Sequence, residues 1–151
     1  MTSFRSRILA VVLLAAAGAP AFAVDIEQTR EAPDLGAVRA KIKAQDFKGA
    51  IADLNTLIDQ GTQHADVYNL LGFSLRRSGD TATALTFYKK ALEFDPDHRG
   101  ALEYLGELYV QLGDLAKARE NEDRLARLCP QGCEELEDLR QAIAAASAKA
   151  N

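Results

Sequence analysis

Only two histidines, His64 and His98, and one methionine, the initiator Met1, occur in the 151 residues. That leaves few soft or imidazole ligands for a metal ion. No Ser-His-Asp order, phosphate-cradling loop or paired-carboxylate arrangement stands out, so the sequence implies neither a catalytic centre nor a cofactor. Basic residues are also in deficit, with 18 Lys and Arg against 22 Asp and Glu. A net acidic chain is a poor candidate for nucleic acid or for anionic lipid surfaces. No alternating strand pattern appears anywhere, and low-complexity sequence is confined to the alanine-rich stretch after Ala142.

There is one apolar run, residues 8–17, preceded by Arg5 and Arg7 and followed by Gly18-Ala19-Pro20 and the small-x-small series Ala21-Phe22-Ala23. This is the layout of a secretory signal peptide over residues 1–23. The run is too short for a bilayer, which takes roughly 20 apolar residues. No cysteine follows it to accept a lipid, and Thr2 is not the glycine that myristoylation needs. Cleavage would remove two of the 18 basic residues and none of the 22 acids, giving a net charge of −6. The expected location is periplasmic or secreted, with no stable membrane insertion after cleavage. Residues 24–34 are polar, contain Pro33 and read as a flexible lead-in.

The rest of the chain carries a repeat. Gly72, Ala84 and Pro96 return 34 residues later as Gly106, Ala118 and Pro130, and Gly79-Asp80 returns as Gly113-Asp114. Stepping back by the same interval links Ala84 to Ala50 and Asp80 to Asp46. A fixed period of this size marks a helical array. The first unit is predicted to hold a weak helix near residues 35–44, with Val38 and Ile42 on its stripe. Gln45-Asp46 turns the chain into a stronger helix over residues 47–60, where Phe47, Ala50, Ile51, Leu54, Leu57 and Ile58 share a face. Gly61 can end it in a left-handed conformation. In the second unit, residues 65–98, Gly79 closes one helix, Asp80 caps the next and Pro96 stops it. The third unit, residues 99–132, repeats this with Leu102, Leu105, Leu108, Tyr109 and Leu112 and then Leu115, Ala118, Leu125 and Leu128. Glu122 stands where the second unit has Tyr88, which predicts a looser contact. Leu136, Leu139, Ile143 and Ala146 make a single closing helix from Cys133, with Glu134 and Glu135 favourably placed in its first turn.

These positions resemble the tetratricopeptide repeat family over about residues 31–132. The second unit shows Tyr68, Leu71-Gly72, Gly79-Asp80, Ala84, Tyr88, Ala91 and Pro96. The third shows Leu102, Leu105-Gly106, Tyr109, Gly113-Asp114, Ala118, Leu125 and Pro130. The first is degenerate, with Val38 at the glycine position and Thr62 at the proline position. The resemblance implies an all-α, tetratricopeptide-type helix-turn-helix solenoid of three units plus a C-terminal capping helix. Physically, Gly72 and Gly106 belong where helices cross closely, and Tyr68, Tyr88 and Tyr109 fill gaps between helices.

The family binds extended or helical peptides in a concave groove lined by the first helix of each unit. Carried over by position, the candidates here are Arg39 and Lys43, then Asn69, Phe73, Arg76 and Arg77, then Glu103, Tyr104 and Glu107. The groove would be basic at one end and acidic at the other, with Phe73 and Tyr104 between. The carboxylate clamp of chaperone-tail binders is not expected, because its positions hold residues such as Leu35, Leu70, Gly100 and Tyr104. The implied role is a non-enzymatic interaction module or small scaffold with a protein or peptide partner.

Cys129 and Cys133 admit three readings. An even cysteine count in an exported chain favours a structural disulfide, which Pro130-Gln131-Gly132 could close. A helix N-terminus at Cys133 would lower a thiol pKa, which suits a redox pair, although Glu134 and Glu135 oppose a thiolate. Two soft thiolates could also hold copper(I). Thiol-based redox or copper handling is therefore the alternative function.

Overall fold

The computed structural model describes residues 32–150; the expected signal peptide, residues 1–23, lies outside them. Seven helices follow in order: α1 (Gly36–Lys43), α2 (Phe47–Asp59), α3 (Ala65–Arg77), α4 (Thr81–Phe94), α5 (Arg99–Gln111), α6 (Leu115–Leu128) and α7 (Glu134–Ala150). No strand occurs among the described residues. Successive helices pack antiparallel in pairs, and each pair packs on the next, so the fold is the all-α repeat solenoid expected. The alanine-rich stretch after Ala142 continues α7 as helix.

The period is written into the turns. Asp46, Asp80 and Asp114 cap α2, α4 and α6, accepting from the backbone N–H of Gly49, Thr83 and Lys117 at 3.0, 3.1 and 3.2 Å. The same aspartates donate their own N–H back to the carbonyls of Lys41, Leu75 and Tyr109 at 2.9, 2.9 and 2.8 Å. Each turn therefore satisfies the last carbonyls of one helix and the first amides of the next. The chain reaches this geometry through a left-handed residue, Gly79 (φ 95°) and Gly113 (φ 79°) in the second and third units. The first unit has Gln45 there, at φ 60°, so its degeneracy includes one strained backbone position.

Two apolar clusters form the core, and Leu75 and Leu92 pack against both. One gathers Val38, Leu54, Val67, Tyr68 and Leu71 from the first two units. The other gathers Tyr88, Leu102, Leu108, Leu125, Leu139 and Ile143 from the second unit to α7. Two expected core leucines are not in it: Leu112 is 54% and Leu128 36% exposed. Leu112 is the C-terminal cap of α5 and Leu128 the last residue of α6.

The second and third units pack their glycines differently. A Cβ on Gly72 would lie 2.8 Å from the ring of Tyr88, in the same unit. A Cβ on Gly106 would lie 2.6 Å from Leu139 of α7. Glu122, at the Tyr88 position, instead pairs with Arg140 of α7 at 3.1 Å. The expected loose contact is thus closed from outside the unit.

Candidate partner-binding face

α3 touches α5, and α5 packs on α7, so these helices form one face. Aromatic rings run across it. Phe47 meets Phe73 edge-on at 6.4 Å, Phe73 meets Tyr104 at 5.1 Å, and Tyr104 lies 6.2 Å from buried Tyr88. Cations stack on the same rings. The Arg77 guanidinium is 5.2 Å from the Phe47 ring and 5.7 Å from Phe73, while Arg76 is 5.9 Å from Tyr104. Arg76 also pairs with Glu107 at 2.6 Å and so ties the second unit to the third. Both partners are largely buried, which strengthens the pair relative to an exposed one.

Five of the nine positions chosen from sequence, Phe73, Arg76, Arg77, Tyr104 and Glu107, therefore stand in one contiguous arrangement. Asn69 and Glu103 flank it but are not solvated polar groups, being only 5% and 8% exposed. Their burial comes from neighbouring helices that residue type cannot reveal. The Oδ1 atom of Asn69 has no hydrogen-bond partner among the described residues, and neither does the Tyr88 hydroxyl. Burial pushes the Glu103 carboxyl up to about 8, assisted by Glu107, Asp138, Glu135 and Glu134. Burial likewise raises Tyr104, with Glu103 and Glu107 adding to it.

Arg39 and Lys43 do not join this arrangement. Arg39 lies 3.8 Å from Asp66, and Lys43 is exposed at the end of α1. Asp66 is the centre of a separate strut. His98 Nε2 donates to its Oδ1 at 2.9 Å, while His98 Nδ1 accepts from the Ala101 N–H at 3.0 Å and caps α5. His64 caps α3 the same way, its Nδ1 accepting from the Asp66 N–H at 3.2 Å. The two histidines are thus half-buried helix caps that share Asp66 as a neighbour. Phe47, outside the nine positions, also contributes to the face. Its position in the α2 stripe reads as core, and only its contacts with Phe73 and Arg77 show otherwise.

The Cα atoms of Cys129 and Cys133 are 5.8 Å apart and their sulfurs face each other, within the range of a bridge. Cys129 ends α6 and is buried, and Cys133 directly precedes α7. No helix among the described residues is long and apolar enough to cross a membrane.

Residues 63–131 match the family described as tetratricopeptide repeat. A protein of Pyropia yezoensis described as uncharacterized protein ycf37 is 37% identical over 76 residues, 50% of this chain and 42% of that one. The cellulose synthase 2 operon protein C of Komagataeibacter xylinus is 38% identical over 98 residues, 65% of this chain and 8% of that one. The probable biofilm formation methyltransferase WspC of Pseudomonas putida is 38% identical over 78 residues, 52% of this chain and 18% of that one. The chain spans less than half the length of each of these relatives.

Proposed function

We propose that this tetratricopeptide-type solenoid is a small exported scaffold that holds an extended or helical peptide segment of a partner protein on the face lined by α3 and α5. The observation that carries this reading is the run Phe47–Phe73–Tyr104 with Arg76 and Arg77 stacked on it. Aromatic rings and arginines of this kind dominate protein interfaces, because they offer large contact area at low entropic cost. Similarity to relatives named for an operon and for biofilm formation suits a bacterial scaffold. The test is crosslinking in the native host with Phe73→Ala/Arg77→Ala. The double variant should keep its helical spectrum and lose most of its crosslinked partner; full partner retention would remove the assignment of the face.

Export supplies the setting in which Cys129 and Cys133 form a disulfide holding α7 to the end of α6. Buried Cys129 favours this structural role over redox or copper handling. Thiol titration of the exported protein should find no free thiol, native or denatured. Rapid reaction without denaturant, or copper retained on purification, would favour the carrier reading instead.

A further inference from the structure

The polar end of the face is out of balance. Glu103 stands among Glu107, Glu134, Glu135 and Asp138. Arg76 answers Glu107 at 2.6 Å and Arg99 answers Glu135 at 3.6 Å. Glu103, Glu134 and Asp138 have no ion-pair partner among the described residues. Glu134 and Asp138 are exposed and cheaply solvated, but Glu103 is 92% buried by its 8% exposure, where an unpaired carboxylate is costly. Asn69, at the equivalent position one unit earlier, turns its amide toward the first turn of α5. Its Nδ2 lies 3.3 Å from where a Cβ on Gly100 would be, one turn before Glu103. Its Oδ1 is a buried acceptor with no donor. Asn69 therefore presents a buried acceptor with no donor, close to a buried carboxyl that no cation of the described residues pairs with.

We propose that this end of the face receives a lysine or arginine side chain from the partner segment, seated between Asn69 and Glu103 with Glu134 and Asp138 at its rim. The inference rests on the partner-binding reading above and names the chemistry of the occupant. A cation donates to the Asn69 oxygen and offsets the excess of carboxylates, whereas an acidic side chain would add to that excess and an apolar one would leave the Asn69 oxygen without a donor. The aromatic run beside it, from Tyr104 to Phe47, accepts apolar residues of the same segment. The partner motif is therefore basic at one end and apolar along its length.

Entry of the cation is coupled to a proton. The charged and titratable groups around Glu103 include Arg99, Tyr104 and Glu107 on α5, Arg76 on α3, Tyr88 on α4, and Glu134, Glu135 and Asp138 on α7. With the face empty, Glu103 keeps its proton below pH about 8. When the ammonium or guanidinium seats, that proton leaves to solvent and the carboxylate pairs with the cation. Affinity therefore rises with pH towards 8 and levels above it.

The test is fluorescence anisotropy on the mature protein with a short, end-blocked, fluorescein-labelled peptide alternating leucine with lysine. Matched peptides carry glutamine or glutamate in place of lysine. The lysine peptide should bind best, with affinity rising between pH 6 and 8. Glu103→Gln, which keeps the shape and is checked by its melting curve, should weaken it by about tenfold or more and flatten the pH profile. Glu120→Gln, an equal charge change on an exposed part of α6, should have little effect. Equal binding of glutamine and lysine peptides would overturn the cation and leave the face intact. Equal weakening by the two variants, or no binding of the lysine peptide, would also overturn it. Loss of the face itself is read separately, by the Phe73→Ala/Arg77→Ala crosslinking.

Discussion

The second and third units share a backbone plan and differ in what fills the space over their crossing glycine. In the second unit Tyr88 of α4 lies against Gly72, so the wedge and the gap belong to the same helix pair. In the third the equivalent residue is Glu122, and the wedge over Gly106 is Leu139 of α7. The second unit is complete in itself, whereas the third borrows its packing from the next helix. α7 is thus a working part of the third unit, not only a cover for its apolar end. The borrowing has a functional side. The helix that brings Leu139 also brings Glu134, Glu135 and Asp138 to Glu103 and so creates the acidic end of the face.

The largest effects should come from removing either wedge. Tyr88→Ala should cost about 3–5 kcal/mol and Leu139→Ala about 2–5, both by cavity formation, measured by denaturant unfolding. If Leu139→Ala cost no more than an exposed substitution, the third unit would not depend on α7.

A wedge swap sharpens the comparison. Glu122→Tyr alone should destabilise by about 1–3 kcal/mol, because its ring competes with Leu139 for the same space. In the Leu139→Ala background the same change should be stabilising, a coupling of about 1–3 kcal/mol in a double-mutant cycle. Simple additivity would mean the two side chains do not share a site.

Glu103→Gln should reveal what the acidic end costs. The native carboxyl holds its proton up to about 8, against a usual value of 4.5, so the folded state binds more protons than the unfolded state in that window. Native stability therefore falls as pH rises from 4.5 to 8, and the glutamine variant lacks this loss. The two proteins should be alike below pH 4.5, with the variant ahead above pH 8 by several kcal/mol, at most about 5. Parallel stability–pH curves would show that Glu103 titrates over the same pH range folded and unfolded.

The smallest effect is expected in the eroded first unit. Gln45 occupies at φ 60° the position that Gly79 and Gly113 hold elsewhere. Gln45→Gly should raise stability by about 0.5–1 kcal/mol. A decrease would place the cost of Gln45 elsewhere than its backbone.

Much of this fold is legible in the sequence, since its signals are local and recur. Asp46, Asp80 and Asp114 each need only neighbouring amides, and Gly79 and Gly113 only their own backbone conformation. The array and its turns follow from such residues. The site is less legible because its character depends on pairs distant along the chain. Repeat position puts Asn69 and Glu103 among the groove candidates, but their burial comes from packing of adjacent helices, which residue type does not reveal. Asp66 and His98 meet across 32 residues with no periodic signal to join them. The role of Leu139 as the missing counterpart of Tyr88 required knowing where α7 lies.

The dependence of the third unit on α7 is tested most directly by native-state hydrogen exchange on Leu139→Ala. Protection should fall for amides of α5, α6 and α7 while α3 and α4 remain near their native values. A loss confined to α7, with α5 and α6 unchanged, would contradict the account and reduce α7 to a cover.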